Sequence, residues 1–217
     1  MFLSGFSLLL TDLDGTLLNT EPLHVQAHQA FARTKGFELK ESDLIGQVGK
    51  GDSWFYAAYM QRNGIVGEDP RAWADAKNRL LVEIYHSCKV ESMPGIPEVL
   101  ERCLNQGIFA MIVTSCHRGA AQAALQSSGL DKRLPVMIAA EDVTKHKPDP
   151  EPYLLAARRL QVPPARCLVL EDSIPGIQAG RSAGCTVVAM TGIVSADEQE
   201  SAGAHLIVTD FSRLLER

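Results

Sequence analysis

The chain has 217 residues and a formal net charge of −5 at pH 7; 46% of its residues are hydrophobic and 22% are charged. This is the balance of a globular protein, and it excludes a disordered chain or a fibrous repeat. Lysine and arginine are scattered, without the basic cluster that nucleic acid or an anionic membrane would require. At ~150 residues per domain, the length fits one large domain or a core domain that carries a smaller one.

The five cysteines include no pair at C-x-x-C spacing, and their number is odd. The first residues lack the basic stretch and the cleavage site of a signal peptide, and no apolar run approaches the ~18 residues that a membrane span requires. We therefore expect a protein of the reducing cytoplasm, with no signal peptide and no membrane segment.

Short apolar runs that alternate with helical patterns dominate the chain. These runs are rich in valine, isoleucine and leucine without strict alternation, which is typical of strands buried on both faces. Helical stripes lie between them, with capping patterns at Ser173 and Ser195. The alternation predicts right-handed crossovers and an α/β fold whose core is a doubly wound, Rossmann-like parallel sheet. The predicted strands are residues 6–10, 108–113, 136–139, 167–170, 186–190 and 206–208.

One region, from about residue 20 to residue 88, shows helical stripes but no convincing strand. Leu23, Ala27, Ala30 and Phe31 share one predicted helical face; a second predicted stripe consists of Trp73, Ala76, Leu80 and Ile84. A single crossover helix needs far fewer residues than this. The pattern predicts an all-helical domain inserted after the first strand. The predicted catalytic core is residues 1–18 plus 93–217, and the predicted helical domain is residues 19–92.

Polar side chains follow the predicted strands, where doubly wound sheets place their sites. Converging carboxylates repel one another unless a cation joins them, and ligands that are all oxygen favour Mg²⁺. An aspartate there can also attack phosphorus. Each group has a plainer alternative, since acidic residues form turns or cap helices and a lysine often lies at the surface. The residues concerned are Asp12, Asp14, Thr114, Ser115, Lys147, Glu171 and Asp172.

These motifs, in this order, resemble the haloacid dehalogenase superfamily, in the branch that contains phosphatases and beta-phosphoglucomutases with a small helical cap. The matching motifs are Asp12-x-Asp14-x-Thr16, Thr114 after an apolar strand, Lys147 before a proline, and Glu171-Asp172. The resemblance covers essentially the whole chain. Dehalogenases of this superfamily lack an acid two residues after the nucleophile, so the second aspartate favours phosphoryl transfer.

The resemblance implies a role for each core residue. Asp12 would be the nucleophile and a metal ligand. Asp14 would act first as general acid and then as general base, and its backbone carbonyl would also bind the metal. Asp172 would be the main carboxylate ligand of Mg²⁺, with Glu171 binding the ion or holding a water. Phosphoryl oxygens would be held by Thr114, by the Ser115 backbone and by Lys147, which would also pair with the nucleophile.

The inserted helices resemble the cap of sugar-phosphate phosphatases and beta-phosphoglucomutases. The resemblance implies that His24 assists Asp14 and that Lys77 touches the sugar. Lys50, in a predicted specificity loop at residues 46–50, stands where the mutases carry an arginine that grips a distal phosphate. Three further residues of the sequence are assigned from their positions alone: Arg118 is a candidate phosphate contact, His28 is expected on a solvated helix face, and Cys116 is expected to be a small filler.

The leading hypothesis is a Mg²⁺-dependent phosphatase that acts on a small phosphorylated metabolite, most readily a sugar phosphate, through an aspartyl-phosphate intermediate. A beta-phosphoglucomutase that uses the same core is the alternative. A receiver-type phospho-acceptor module is the alternative from another class, although such modules lack the inserted helices. We expect no nucleic-acid or membrane partner, and a monomer or weak homodimer.

Overall fold

The computed structural model describes residues 2–44, 51–134, 137–192 and 194–216. Its strands form one parallel sheet in the order β3-β2-β1-β4-β5-β6, which confirms the predicted Rossmann-like architecture. The first strand pairs with β2 on one side and with β4 on the other, so the strand order reverses at β1. The strands are β1 (Leu8–Thr11), β2 (Phe109–Val113), β3 (Met137–Ile138), β4 (Cys167–Glu171), β5 (Thr186–Met190) and β6 (Leu206–Val208).

The helices of the described part lie on both faces of the sheet and in a long insertion after β1. They are α1 (Glu21–Thr34), α2 (Glu41–Leu44), α3 (Asp52–Arg62), α4 (Pro70–Ser87), α5 (Ile96–Asn105), α6 (Arg118–Ser128), α7 (Glu151–Arg159), α8 (Ile174–Ser182) and α9 (Ala196–Ser201). Short 3₁₀ turns occur at Phe2–Gly5, Ala140–Asp142, Pro164–Arg166 and Phe211–Leu214. No helix within these described ranges has the combined length and apolarity needed to cross a bilayer.

Both faces of the sheet are buried, because alternate side chains of each strand point into separate apolar clusters. Leu9 and Ile112 belong to the cluster that contains residues of α5 and α6. Leu10 and Val169 belong to the cluster that contains residues of α7 and α8. This double burial explains why the strands read as continuous apolar runs.

The predicted helix starts at the two serines are confirmed. The Ser173 hydroxyl accepts a hydrogen bond from the Gly176 amide at the start of α8. Ser195 and Glu198 form a capping box at the start of α9. Such caps satisfy amide groups that have no partner within the helix. The cap at Ser173 fixes the direction of the chain as it leaves β4.

The helices α1 to α4 share an aromatic cluster that includes Phe31, Phe55, Tyr56 and Trp73. On α1, Ala27 and Phe31 are buried, as the sequence predicts. The predicted stripe on α4 packs against the apolar clusters, with Trp73 buried and Ala76, Leu80 and Ile84 partly buried. The most deeply buried face of this helix runs beside the stripe, through Lys77, Leu81 and Tyr85.

A buried lysine obscured this deeper face in the sequence, since Lys77 interrupts the apolar pattern at its centre. Its aliphatic stem packs with the stripe while its ammonium finds polar partners. The C-terminal half of α4 also packs against the apolar cluster on one face of the sheet, because Leu81 and Tyr85 belong to the same cluster as Leu9 of β1. The four-helix segment thus rests directly on the sheet domain.

Candidate active site

A cavity of about 580 Å³ lies at the carboxyl ends of the central strands, beneath the helices of the insertion. Strand order reverses between β1 and its neighbours, which is where open α/β sheets bind ligands. Six of the seven core residues singled out in the sequence line this cavity, as do His24, His28 and Cys116; the six are Asp12, Asp14, Thr114, Ser115, Lys147 and Asp172. The structure therefore brings together groups that are up to 160 positions apart, since Asp12 and Asp172 share the cavity wall.

Lys147 is held at the floor of the cavity by three acceptors. Its Nζ donates to Asp12 Oδ1 at 2.5 Å, to Glu171 Oε1 at 2.6 Å and to the Val113 carbonyl at 2.9 Å. The side chain is only 5% exposed. Three acceptors match the three protons of an ammonium group, so this lysine is fixed in position and stays charged.

Asp12 lies directly after β1, where its amide donates to the Leu170 carbonyl at 3.0 Å. Burial raises the pKa of Asp12 to about 8; Lys147 opposes this shift, while Glu171 and Asp14 add to it. Among the described residues, no donor is hydrogen-bonded to Oδ2 of Asp12. One carboxylate oxygen is therefore fixed by the lysine, and the other is free to meet a ligand.

Glu171, the last residue of β4, is fully buried and both of its carboxylate oxygens are occupied. Oε1 accepts from Lys147 and from the Tyr153 hydroxyl at 2.7 Å. Oε2 accepts from the amide and the hydroxyl of Ser173, at 3.2 and 3.0 Å. A Cβ on Gly176 would lie 1.9 Å from Oε1, so this position of α8 must be glycine. These contacts favour a role in holding Lys147 over direct binding of a metal.

Asp172 points from the loop after β4 toward the loop after β1. The Thr16 hydroxyl donates to its Oδ1 at 3.0 Å, and a Cβ on Gly15 would lie 2.4 Å from Oδ2. Gly15 also has a φ of +72°, which an L side chain rarely adopts. Burial raises the pKa of Asp172 well above its usual value, and the charges of Glu171 and Asp12 add to the shift.

Oxygens of Asp12, Glu171 and Asp172 all lie within 4.8 Å of one another. One buried lysine cannot balance so many carboxylates, and each carboxylate disfavours ionisation of the next. A hard divalent cation relieves this repulsion and prefers such an all-oxygen donor set. The residues present therefore fit Mg²⁺, with Asp12 and Asp172 as the carboxylates that face the cavity.

Asp14 lies beside Asp12 and accepts hydrogen bonds on both carboxylate oxygens. The Thr20 hydroxyl donates to Oδ1 at 2.6 Å, and His24 Nε2 lies 3.2 Å from the same atom. The Cys116 thiol donates to Oδ2 at 2.8 Å. Burial alone would raise the pKa of Asp14, but the hydrogen bonds from these three groups outweigh it and hold the pKa well below its usual value.

Cys116 is therefore not the inert filler that the sequence suggested, because its sulfur touches Asp14. Its own amide donates to Thr114 Oγ1 at 3.0 Å, which fixes the turn after β2. Burial raises the pKa of the thiol well above its usual value, and the Asp14 carboxylate adds to this shift. The thiol is consequently held in its protonated, hydrogen-bond-donating form.

A second polar cluster lies in the helical segment, on the opposite wall. Lys77 is fully buried; its Nζ donates to Asp52 Oδ2 at 2.9 Å and lies 3.0 Å from His24 Nδ1. His28 is buried as well, with Nδ1 2.9 Å from the Tyr56 hydroxyl and Nε2 3.3 Å from Asp52 Oδ1. The expectation that His28 lies on a solvated face is wrong, since α3 covers that side of α1.

Lys77 does not line the cavity, because its ammonium is turned toward Asp52 and His24. Arg118 does not line it either: its guanidinium pairs with Asp142, and its amide donates to Glu141. The predicted substrate contacts of Lys77 and Arg118 thus find no support in this arrangement, because nearby carboxylates bind both cations. Lys50 and its predicted loop lie outside the described residues.

The chain matches the profile of the Haloacid dehalogenase-like hydrolase family over residues 9–190. It belongs to this family. It is therefore an enzyme of the hydrolase superfamily that the motifs indicated. The matched stretch contains every core residue named above, from the two aspartates after β1 to the acidic pair Glu171-Asp172 at the end of β4.

Individual relatives agree with this assignment. The chain is 33% identical over 181 residues to the fructose-1-phosphate phosphatase YqaB of Escherichia coli, which covers 83% of this chain and 94% of that protein. It is 29% identical over 214 residues to Protein SUPPRESSOR OF QUENCHING 1, chloroplastic, of Arabidopsis thaliana; the match covers 96% of this chain but 20% of that longer protein.

Two solved structures share the architecture of this chain. CbbY from Rhodobacter sphaeroides, in complex with phosphate, superposes with a TM-score of 0.87 at 25% identity and covers 96% of both chains. A putative beta-phosphoglucomutase from Thermotoga maritima superposes with a TM-score of 0.76 at 27% identity and covers 97% of both chains. Both matches include the inserted helices as well as the sheet.

Several residues of the site escaped the sequence analysis. Tyr153 lies on an apolar helix face, yet its hydroxyl donates to the buried Glu171. The hydroxyl of Thr20 donates to Asp14, and nothing in the spacing of these residues indicated that bond. No sequence pattern indicated a role for Asp52, because its partners His28 and Lys77 lie 24 or more positions away in sequence. Such contacts depend on how the helices pack and leave no local pattern.

Proposed function

We propose that this protein is a Mg²⁺-dependent phosphatase of a small phosphorylated metabolite, with a sugar phosphate as the leading substrate class. The observation that carries the proposal is the pair of aspartates at the cavity floor. Asp12 has one oxygen held by Lys147 and the other free, and Asp14 stands two residues further on at the same cavity. The phosphatase relatives support the same reaction.

The first step is attack on phosphorus by the free Oδ2 of Asp12. The new P–O bond forms as the ester P–O bond breaks, and the leaving oxygen takes a proton from Asp14. Lys147 and the hydroxyl of Thr114 offset the negative charge of the phosphoryl group. Mg²⁺, when bound at the carboxylates, supplies further positive charge to the phosphoryl oxygens.

In the second step, Asp14 acts as the base. It removes a proton from water, the water oxygen bonds to phosphorus, and the bond to Asp12 breaks to release phosphate. The structure shows Asp14 with donors on both oxygens, which stabilise the carboxylate form required here. The acid form required for the first step needs His24 or Thr20 to release Oδ1 when substrate enters.

The helices α1 to α4 would serve as the cap of this site, within the proposed boundaries of residues 19–92. They supply one wall of the cavity through residues such as His24, Asp52 and Trp54. A cavity of this size suits a small ligand such as a sugar monophosphate. Exclusion of bulk water by this wall would protect the aspartyl-phosphate until one water is correctly placed.

A beta-phosphoglucomutase is the second candidate, favoured by one observation. His24 contacts Asp14 on one side and Lys77 on the other. His24 and Lys77 are the two residues of the helical segment to which the resemblance to the mutases assigns roles. In a mutase, a sugar hydroxyl replaces water in the second step. The structural similarity to the putative beta-phosphoglucomutase from Thermotoga maritima keeps this candidate open.

The deciding experiment is a phosphate-release screen with Mg²⁺ against a panel of sugar and small-metabolite phosphates. The first variant is Asp12→Asn, with Asp197→Asn, an exposed aspartate on α9, as the matched control. We expect release by the wild type and the control, and at least a ~10³-fold loss in Asp12→Asn. Turnover of beta-glucose 1-phosphate to an isomer without phosphate release would establish the mutase instead.

A further inference from the structure

Three different metal-ligating side chains meet at Asp14, outside the carboxylate set that fits Mg²⁺. Oxygen of Asp14, nitrogen of His24 and sulfur of Cys116 all lie within 4.8 Å of one another. All three residues line the cavity and are therefore reachable from solvent. A thiol and an imidazole are poor ligands for Mg²⁺ and good ligands for Zn²⁺.

We propose that Asp14, His24 and Cys116 form a second cation site, selective for Zn²⁺ and similar thiophilic ions, whose occupation blocks the phosphatase. The binding itself does not depend on the proposed function, whereas the inhibition rests on it. Zn²⁺ is expected to use three protein ligands here and to keep one position for water or for a phosphate oxygen.

The ligand atoms would have to move only slightly to bind a zinc ion. His24 Nε2 is 3.2 Å from Asp14 Oδ1, and Cys116 Sγ is 2.8 Å from Asp14 Oδ2. Tetrahedral zinc, with bonds of about 2.0–2.3 Å, spaces its ligand atoms by roughly 3.3–3.7 Å. The sulfur and the ring must therefore separate from Asp14 by less than about 1 Å, which side-chain rotation can supply.

Charge and protons balance at this site. The thiol proton leaves to solvent as the Zn–S bond forms, so the thiolate and the Asp14 carboxylate together neutralise the divalent ion. His24 must bind through Nε2 and so carries its ring proton on Nδ1. Lys77 then gives up its contact with Nδ1 and keeps Asp52 as its partner. That exchange weakens the site relative to a structural zinc site, and makes it reversible.

Occupation of this site would remove Asp14 from acid–base chemistry. The ion binds the side-chain oxygens that must hold and release the proton, and it locks His24 and Cys116 against them. Mg²⁺ at the Asp12 and Asp172 carboxylates does not compete for sulfur or nitrogen. Excess Mg²⁺ is therefore not expected to relieve the inhibition by Zn²⁺.

The test uses Cd²⁺ as a spectroscopic probe, because cadmium thiolates have a charge-transfer absorption that Mg²⁺ and carboxylates lack. The full-length protein is titrated with Cd²⁺ in excess Mg²⁺. The variants are Cys116→Ser and His24→Asn, and Cys88→Ser serves as the matched control because Cys88 is an exposed thiol. Circular dichroism of each variant shows whether it is folded.

We expect one equivalent of Cd²⁺ to saturate the absorption in the wild type and in Cys88→Ser. The signal should vanish in Cys116→Ser, and the affinity should fall at least ~10-fold in His24→Asn, as expected when a metal ligand is removed. An absorption that survives in folded Cys116→Ser, or an affinity unchanged in His24→Asn, would overturn the site.

A second readout tests the consequence for the reaction. Inhibition by Zn²⁺ is measured for each variant relative to its own activity, in excess Mg²⁺. The Zn²⁺ concentration for half-inhibition should rise at least ~10-fold in Cys116→Ser and stay unchanged in Cys88→Ser. If Cd²⁺ binds as expected but Zn²⁺ inhibits both variants equally, the blocking role is wrong although the site exists. If the absorption is present but no phosphate is released from any substrate, the proposed function fails and the site does not.

Discussion

Two buried lysines lie near the same cavity, and their surroundings differ: Lys147 lines the cavity, whereas Lys77 lies behind His24 and Asp52, which line it. Lys147, 5% exposed, bridges Asp12 and Glu171 at the strand ends. Lys77, fully buried in α4, bridges Asp52 and His24. The partners of Lys147 are fixed by the rigid sheet, and Glu171 has no exposure to water. The side chain of Asp52 is 23% exposed, so the cavity can still hydrate it.

The comparison shows that similar ion pairs can stand in different relations to the same cavity. Lys147 presents a charged atom to a group that faces the cavity, and Glu171 keeps it there. Lys77 instead contacts a histidine that in turn contacts Asp14. Lys147 itself lines the cavity, whereas Lys77 reaches it only through His24 and Asp52. The predictions below separate these roles.

Replacing Lys147 should have the largest effect. Lys147→Met leaves the buried Glu171 without its cation, which should cost about 3–5 kcal/mol of unfolding free energy. Phosphate release should fall at least ~10²-fold, because the charge that faces the phosphoryl group is lost. Urea unfolding and the phosphate assay measure the two effects.

Lys145→Met is the matched control for this variant, because Lys145 is 70% exposed and lies two residues away. It should change stability by less than about 1 kcal/mol. Equal stability of the Lys147 and Lys145 variants would contradict the buried-pair interpretation.

Replacing Lys77 should be milder. In Lys77→Met, Asp52 keeps His28 as a partner and can draw water from the cavity, so we expect a loss of about 1–3 kcal/mol in urea unfolding. Arg79→Met, an exposed position on the same helix, provides the control. A loss as large as that of Lys147→Met would show that the two lysines are energetically equivalent.

Removing the hydroxyl of Tyr153, which bonds Glu171, should lower the unfolding free energy by a still smaller amount. Tyr153→Phe deletes the donor at 2.7 Å from Glu171 Oε1, but Lys147 still bonds that oxygen. We expect a loss of about 1 kcal/mol, because no buried group is left unsatisfied. Tyr59→Phe, at a half-buried position of the helical segment, should change the unfolding free energy less, and the reverse order would argue against this role of Tyr153.

The smallest effect should be a pH dependence of the unfolding free energy that arises from His28, which is buried beside Asp52 and Lys77. Burial lowers the pKa of His28 below its usual 6.5, and the charge of Lys77 adds to the shift while Asp52 opposes it. As pH falls below about 6.5, the unfolded chain takes up a proton that the folded chain resists, so stability should decrease. Unfolding in urea from about pH 7.5 to 5.5 should show a flatter profile in His28→Asn than in the wild type.

His86→Asn tests the same change at an exposed histidine of α4. Its profile should follow that of the wild type, since the side chain of His86 is already exposed to water in the folded chain. Identical profiles for the wild type, His28→Asn and His86→Asn would show that burial of His28 is not linked to stability.

The sheet could be predicted from the sequence because its signals are local. The runs 186–190 and 206–208 match β5 and β6 residue for residue, and β4 extends only one residue beyond the predicted 167–170. Parallel strands that are buried on both faces must be continuously apolar, so each strand can be recognised as an apolar run in the sequence. The core residues of the site could be predicted for a related reason: all but Lys147 lie at or just after the end of such a strand, and Lys147 lies in the connection between β3 and β4.

The helical segment was less predictable, since its polar groups are buried. A lysine or histidine on an amphipathic helix normally indicates the solvated face. Lys77 and His28 break that rule because Asp52, at the start of α3, reaches both of them. Neither the position of Asp52 nor the spacing of the helices is encoded in a short window of sequence.

The sequence by itself determined the α/β core, the order of the motifs and the position of Asp12 and Asp14 just after the first strand. Apolar periodicity and residue chemistry are properties of short segments, and they survive without knowledge of the packing. Only the tertiary structure decided which groups touch: the thiol of Cys116 on Asp14, the hydroxyl of Tyr153 on Glu171, and the ammonium of Lys77 on Asp52. These contacts join residues 18 to 102 positions apart, and their partners are selected by the burial of charge when the helices pack on the sheet.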